Sequence, residues 1–303
     1  MRVARPASMA ALNAFRRVVI RHYRHHKRDL PWRRTRDPYR ILVSEVMLQQ
    51  TQVDRVIPAY HRFLARFPTL RKLARSRFSD VLSVWLGLGY NGRALRLWRC
   101  ARAVVANRNG ALPAQIDELK RLPGIGPYTA SALSALAFDA HVPVVDVNVA
   151  RVLSRALAGR DRLTDGHVAL LARTALPASS AGEWAQALMD MGALFCRSRP
   201  RCADCPARRI CAYARAGCTP ESMPAVHRVA ARRVTTRFHG SNRYYRGRVM
   251  RALSASGALS LRALGREVKP GFALSDLPWL HRLLSGLERD GLVELQARRV
   301  SLP

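Results

Sequence analysis

Acidic residues are scarce in this chain of 303 residues, which contains 20 Asp and Glu side chains against 52 Lys and Arg. The formal net charge is +32. So large an excess makes a folded chain repel itself unless a polyanion offsets the charge, and nucleic acid is therefore the expected partner. A basic surface that is only solvated is the alternative.

Long apolar runs are also missing, and the sequence has no stretch of about 18 apolar residues that could span a bilayer. Residues 1–28 have the apolar spacing of an amphipathic helix and lack the apolar core and cleavage site of a signal peptide. We therefore expect no membrane association and a location in the cytoplasm, at the nucleoid.

Strand patterns are nearly absent from residues 8–215, where apolar residues recur at the three- and four-residue spacing of α-helices. Residues 216–237 lose this periodicity and are typical of a basic linker. Residues 238–303 then predict three helices and a short hairpin, the order of a winged helix-turn-helix. A small helical cap without a binding role is the alternative for this last region.

Four of the six cysteines lie close together, as Cys196, Cys202, Cys205 and Cys211 in the pattern C-x5-C-x2-C-x5-C. Thiolates this close can converge only on a centre that neutralises their charge, and either a [4Fe-4S] cluster or a tetrahedral zinc ion does so. Two disulfides or unrelated buried thiols are the alternative, disfavoured because nothing indicates an oxidising compartment. The spacing alone does not choose between the two metals.

A second motif, LPGIGPYTA at residues 122–130, lies between two helical patterns. Its glycines, Gly124 and Gly126, permit positive φ and remove Cβ atoms that would block close approach. Backbone N–H groups at the start of the next helix can then face a phosphate oxygen. The motif predicts a helix-hairpin-helix that grips the DNA backbone without reading sequence, with a plain helix–helix turn as the alternative.

Further segments accompany the hairpin and the cysteines. They are LPWR at 30–33, DPYRILVSEVMLQQTQVDRVIPAYHRFLARFP at 37–68, LGLGY at 86–90 and PVVDVNVARV at 143–152. In this order the motifs resemble those of the helix-hairpin-helix (HhH-GPD) DNA glycosylases that carry an iron–sulfur cluster, and among them the MutY-type adenine glycosylases. The resemblance extends over about residues 28–215.

The resemblance implies an all-α fold of two helical lobes with the DNA cleft between them, and a loop that holds a [4Fe-4S] cluster rather than zinc. The glycosylase core would span residues 1–215. Within it, about 30–135 would form a barrel lobe with the hairpin, and the N-terminal helix would join about 140–215 in an iron–sulfur lobe. A small winged-helix-like α+β domain would follow at 238–303.

Breaking the bond between a base and C1′ of its sugar requires an acid at the departing base and a carboxylate near the cationic sugar. By resemblance, Glu45 protonates an adenine ring and Asp146 stabilises the sugar cation, with Asn148 supporting the site by hydrogen bonding. Glu45 then needs a pKa raised by desolvation, whereas Asp146 must stay ionised. Ordinary structural roles are the alternatives, a helix N-terminal charge for Asp146 and a buried, hydrogen-bonded acid for Glu45.

Further residues are expected to contact the DNA, because the base must leave the stack to reach such a pocket. The expected contacts are Gln49, Gln50 and Thr51 after the Glu45 helix, Leu48 and Tyr90 as wedge or lining residues, Gly124, Gly126, Tyr128 and Thr129 of the hairpin, and Arg199 and Arg201 of the cysteine loop. A core position is the alternative for Leu48 and for Tyr90.

Lysine is rare, and occurs only at Lys27, Lys72, Lys120 and Lys269. Glycosylases that also cut the strand form a Schiff base through an amine. In the endonuclease III branch that lysine lies in the hairpin, at the position occupied here by Tyr128, and a phenol cannot form the adduct. We therefore predict hydrolysis of the base without strong lyase activity, although Lys120 lies near in sequence.

The C-terminal region departs from the MutY pattern, because residues 238–303 are too few for the domain that recognises 8-oxoguanine. We predict a monomeric repair enzyme that removes adenine from double-stranded DNA with a mismatch or a damaged base. A thymine or uracil mismatch glycosylase of the same fold is one alternative. A non-catalytic iron–sulfur regulator that binds DNA is the other.

Overall fold

The computed structural model describes residues 8–217, 238–297 and 299–303. Between residues 8 and 217 the elements are helical. They are α1 (Met9–His26), α2 (Pro38–Leu48), α3 (Val53–Arg66), α4 (Leu70–Ala74), α5 (Phe78–Trp85), α6 (Gly92–Arg108), α7 (Ile116–Lys120), α8 (Pro127–Ala137), α9 (Val147–Ala158), α10 (Asp165–Thr174), α11 (Ala181–Leu194) and α12 (Ala212–Arg215), with a 3-10 turn at Pro31–Arg33. No described helix is both long enough and apolar enough to cross a bilayer.

The chain forms two compact units that interleave along the sequence. The first unit contains residues 1–41, 113–120 and 126–231, and the second contains 42–112, 121–125 and 232–303. The domain boundaries predicted at 215 and 238, and the lobe boundaries within the core, stay a prediction. Nearly all of the predicted linker, 216–237, lies outside the described residues.

The core of the first unit is built from the apolar faces of α1, α9, α10 and α11. Phe15 of α1 packs edge-on against Trp184 of α11, with ring centroids 6.0 Å apart. In α11, Asp190 is a buried acid that is only 3 % exposed. It accepts hydrogen bonds from the guanidinium groups of Arg28 and Arg33 at 2.6 and 2.7 Å. Burial alone would raise the pKa of Asp190, but these two arginines hold it below its ordinary value. The buried ion pairs fix the LPWR segment onto α11.

The second unit packs α3, α4, α5 and α6 around large aromatic side chains. Phe63 and Trp85 are fully buried and meet edge to face with centroids 6.0 Å apart. Trp98 of α6 donates its ring N–H to the Ser76 carbonyl at 3.0 Å, which ties α6 to the turn before α5. Residues 42–48 of α2 belong to the same unit.

Residues 238–303 add a small α+β region to the second unit. Its elements are α13 (Asn242–Ser256), β1 (Leu259–Ser260), α14 (Leu261–Val268), α15 (Leu277–Arg289), β2 (Glu294–Gln296) and β3 (Arg299–Ser301). The strands form an antiparallel sheet in the order β1-β3-β2, with Val300 opposite both Leu259 and Leu295. This element order is that of a winged helix-turn-helix, and the predicted small C-terminal α+β region is confirmed.

Candidate active site

Helix α2 carries Glu45 in its buried interior. The Asp37 side chain starts the helix by accepting a hydrogen bond from the Tyr39 N–H at 2.8 Å. Residues 41–47 are all buried, and Glu45 itself is 6 % exposed. Burying a carboxyl group in an apolar helix face costs free energy, because its charged form loses hydration.

Arg93 of α6 caps the C-terminal end of α2, a role that was not predicted from the sequence. Its guanidinium donates to the carbonyl oxygens of Val46 and Met47 at 2.9 and 2.8 Å, which the helix itself leaves without partners. It also donates to the Thr51 hydroxyl at 3.0 Å and the Gly89 carbonyl at 3.1 Å. Burial lowers the pKa of Arg93 to about 10. One side chain thus holds together the end of α2, the turn after it and the LGLGY loop.

We expect Arg93→Ala to lower the free energy of unfolding by about 3–5 kcal/mol, because several buried carbonyl groups lose their donor at once. Arg93→Lys should retain only part of this free energy of unfolding, because a single ammonium group cannot reach the same set of carbonyl acceptors. Urea unfolding followed by circular dichroism measures both. A stability unchanged in the alanine variant would contradict this role.

The turn after α2 has an unusual backbone at Gln50, whose φ of 55° lies in the left-handed region. Gln50 is exposed, whereas Leu48, Gln49 and Thr51 are half-buried. Tyr90 also has a positive φ, 49°, and 56 % of it is exposed, so the alternative of a core position does not apply to it. These residues present polar and aromatic groups at the surface of the second unit, and their contact with DNA stays a prediction.

Asp146 begins helix α9 in the first unit. One carboxylate oxygen accepts a hydrogen bond from the Val149 N–H at 2.7 Å, and the other accepts one from the Asn148 side-chain amide at 2.8 Å. Asp146 is therefore a helix N-cap, the structural role weighed for it above, yet it also remains half-exposed. The neighbouring Val147 is 76 % exposed. The carboxylate is oriented by both hydrogen bonds and open to the surface of its own unit.

A hydrogen-bonded chain links Asp146 to the cysteine segment. Arg151 donates to the Asn148 amide oxygen at 2.7 Å, to the Gly192 carbonyl at 3.0 Å and to the Cys196 carbonyl at 2.5 Å. Gly192 lets α11 approach α9 closely, because an added Cβ would lie 2.5 Å from the Cβ of Asn148. Arg151 and Gly192 were not predicted from the sequence, although both hold Asn148 in place.

The four predicted cysteines lie near one another without a disulfide bond between them, and all of them are partly exposed. Burial, and to a smaller extent the charges of Cys196, Cys211 and Cys202, raise the pKa of Cys205 to about 12. Among the described residues, no three His, Cys, Asp or Glu side chains lie close enough to hold a single metal ion.

Arg155, which is 2 % exposed, lies against the same thiols. Its guanidinium is 3.7 Å from the Cys196 sulfur and 2.6 Å from the Arg197 carbonyl oxygen, and it pairs with Asp161 at 2.8 Å. Burial works to lower the pKa of Arg155, but the Cys196 charge and the Asp161 hydrogen bond together raise it. A permanent cation beside the thiols stabilises a centre of negative charge.

The loop between the first two cysteines exposes the arginines expected to contact DNA. Arg199 and Arg201 are both exposed, and Arg201 forms an ion pair with Asp204 at 2.7 Å. Their contact with phosphates stays a prediction.

The LPGIGPYTA segment forms the predicted sharp turn before α8. Gly124 has a φ of +77°, and an added Cβ there would lie 2.6 Å from the Arg96 side chain, so both backbone angle and space require glycine. Gly126 has an extended backbone and an exposed surface. Tyr128 is half-buried and the Thr129 side chain is buried, which leaves their backbone N–H groups in the first turn of α8 as the groups suited to a phosphate.

Glu45 belongs to the second unit and Asp146 to the first. Their meeting in one pocket stays a prediction.

Comparison with known proteins identifies the fold. Residues 43–177 match the family described as HhH-GPD superfamily base excision DNA repair protein. A thermostable thymine-DNA glycosylase structure aligns with a TM-score of 0.64 and 29 % identity, over 68 % of this chain and 98 % of that one. An endonuclease III–DNA covalent intermediate aligns with a TM-score of 0.57 at 21 % identity, over 68 % of this chain and 98 % of that one, which shows likeness of fold alone.

Curated relatives at higher identity cover most of the chain. The adenine DNA glycosylase of Mycolicibacterium smegmatis is 40 % identical over 287 residues, which are 92 % of each protein. The human adenine DNA glycosylase is 41 % identical over 217 residues, 67 % of this chain and 40 % of that protein. The predicted HhH-GPD glycosylase fold is confirmed, and the chain belongs to the adenine DNA glycosylase family within the HhH-GPD superfamily.

Proposed function

We propose that this protein hydrolyses the N-glycosidic bond of a mismatched adenine that has been flipped out of double-stranded DNA, and leaves an abasic site. The observation that carries the proposal is the M. smegmatis relative, named adenine DNA glycosylase, which is 40 % identical over 92 % of both chains. The 8 % of this chain that lies outside the alignment amounts to fewer residues than the range 238–303 contains. The alignment therefore extends into the C-terminal region. That region is thus shared with an enzyme of this name.

Glu45 would act as the general acid. Its burial in α2 shields the carboxyl group from water, and the role requires that it carry a proton when the base departs. Transfer of that proton to a ring nitrogen lets the adenine depart as a neutral base, which is the step that breaks the C1′–N bond. Arg93 keeps the end of α2 in place and so positions this acid.

Asp146 would stabilise the positive charge that develops on the sugar. The hydrogen bonds from the Val149 N–H and the Asn148 amide orient its carboxylate oxygens at the N-terminal end of α9. The half-exposed carboxylate can then guide the approach of water to C1′. Glycoside hydrolases likewise use a pair of carboxyl groups, one as the acid and one near the sugar.

Cys196, Cys202, Cys205 and Cys211 would hold a [4Fe-4S] cluster. The donor set fits, because four thiols lie near one another beside the buried Arg155 cation. When bound, the cluster would supply a structural centre that orders the loop 197–201 and would take no part in the chemistry on the sugar.

The purified protein should show a broad visible absorption band at about 400 nm, as thiolate-ligated iron–sulfur clusters do. Cys205→Ser should lose this band and the bound iron, whereas Cys100→Ser should keep both, because Cys100 is a buried residue of α6 in the second unit and is not one of the four clustered cysteines. Metal analysis decides the outcome: one equivalent of zinc without a visible band would contradict the proposal.

A thymine mismatch glycosylase is the second candidate, favoured by the 29 % identity to the thymine-DNA glycosylase structure. A panel of duplexes that each carry one mismatch or lesion separates the two candidates, with the released base identified by mass spectrometry. Treatment of the product with and without alkali reports lyase activity. We expect free adenine and strand cleavage only after alkali; release of thymine or uracil but no adenine would overturn the proposal.

A further inference from the structure

Helix α6 presents three exposed arginines, Arg96, Arg99 and Arg102, spaced three residues apart. At a rise of about 1.5 Å per residue, successive arginines are separated by about 4.5 Å along the helix axis. Arg96 packs on the hairpin glycine Gly124, and Arg99 lies 3.5 Å from the Gly291 carbonyl of the C-terminal region. All of these residues belong to the second unit. Within that unit, the three arginines lie between Gly124 of the hairpin and the C-terminal region.

The row ends at an open cleft of about 590 Å³ between α6 and the C-terminal region. Three arginines, Arg75, Arg77 and Arg102, line it together with Trp98 and Ser301. Arg102 stacks on the Trp98 ring with its guanidinium carbon 4.7 Å from the centroid, which holds that cation at the mouth of the cleft. Gly257 and the chain end around Ser301 form the opposite wall.

In the part of the chain that the structure describes, the arginines of this surface have no acidic partner. Among the described residues, none of Arg75, Arg77, Arg96, Arg99 and Arg102 forms an ion pair, and Asp80, the acid on adjoining α5, pairs with Arg66. A run of cations without acidic partners favours a polyanion, because each neutralised phosphate releases condensed counterions.

Several basic and aromatic residues of α13 are engaged within the C-terminal region. Arg246 pairs with Asp290, and Arg248 donates to the Glu267 carbonyl at 2.7 Å. Tyr245 packs edge-on against Trp279, with ring centroids 4.8 Å apart. These side chains stabilise the C-terminal region itself.

We propose that the α6 row and the cleft form a second DNA surface, which binds the phosphodiester backbone of the duplex beyond the hairpin. The C-terminal region thereby lengthens the DNA footprint without reading sequence. The inference rests on the proposed function only in taking DNA as the partner.

The test compares the full-length protein with the triple variant Arg75→Ala/Arg77→Ala/Arg102→Ala on two undamaged duplexes. One has about 12 base pairs and the other about 30, roughly 40 and 100 Å at 3.4 Å per base pair. Fluorescence anisotropy over a salt series yields the slope of log K against log[salt] for each. The unsubstituted protein should show a steeper slope on the long duplex, and the triple variant should lose about 0.9 of slope there for each phosphate contact removed.

A matched control, Arg17→Ala/Arg21→Ala/Arg173→Ala, removes the same charge from exposed positions on α1 and α10. It should keep the difference in slope between the duplexes. The inference is overturned if the cleft variant keeps this difference or if both triple variants lose it equally. Should Arg102→Ala unfold the protein, Arg75→Ala/Arg77→Ala gives the same test. Absence of base release by the unsubstituted protein would reject the proposed function, whereas the slopes decide the second surface independently.

Discussion

Glu45→Gln is expected to lower the single-turnover rate of adenine release by about 10²–10⁴-fold, the usual contribution of a positioned general acid. Glutamine has nearly the same shape and can occupy the same place in α2, but it has no proton to give. Binding to a mismatch duplex should therefore persist. Rates measured at saturating protein separate the chemical step from binding.

The control for this variant is Glu183→Gln. Glu183 forms a surface ion pair with Arg24 at 3.0 Å, so the same change of chemistry there should leave the rate intact. A full rate in Glu45→Gln would show that Glu45 is only a buried structural acid, the alternative considered at the outset.

Asp146→Asn should lower the same rate by roughly 10²-fold or more, because the charge that stabilises the sugar cation is lost. Asparagine is as good an N-cap as aspartate, so α9 should begin at the same residue. Its side-chain oxygen can still accept from the Val149 N–H, whereas its amide would face the Asn148 amide donor. The effect should appear in the rate, with little loss of stability.

Thr164→Ala provides the opposite control. Thr164 caps α10 by accepting a hydrogen bond from the His167 N–H, so its loss should cost about 1 kcal/mol of stability and leave the rate unchanged. If Asp146→Asn behaves like Thr164→Ala, the carboxylate serves the helix and not the reaction.

The fold was predictable because its motifs are local in sequence. The turn at Gly124, the spacing of the four cysteines and the helical periods each depend on a few neighbouring residues, and the element order of 238–303 followed from alternating and helical patterns. The family resemblance then supplied what spacing could not, the expectation that Glu45 and Asp146 act together.

The buried arginines were not predictable from the sequence. Arg93, Arg151 and Arg155 hold carbonyl groups that are 40 or more residues away along the chain, and among so many arginines no local pattern distinguishes them. The same holds for Gly192, whose role depends on the approach of Asn148 from another helix. Long-range contacts of this kind are decided by packing and not by local periodicity.

The account depends most on Glu45 and Asp146 acting together on one extruded nucleotide. Single-turnover rates of Glu45→Gln, Asp146→Asn and the double variant on one mismatch duplex test this directly, since residues that act as a unit show strongly non-additive effects. We predict that the double variant is about as slow as the slower single variant. Two losses that multiply in full would show that the carboxylates act independently, and would contradict a shared pocket.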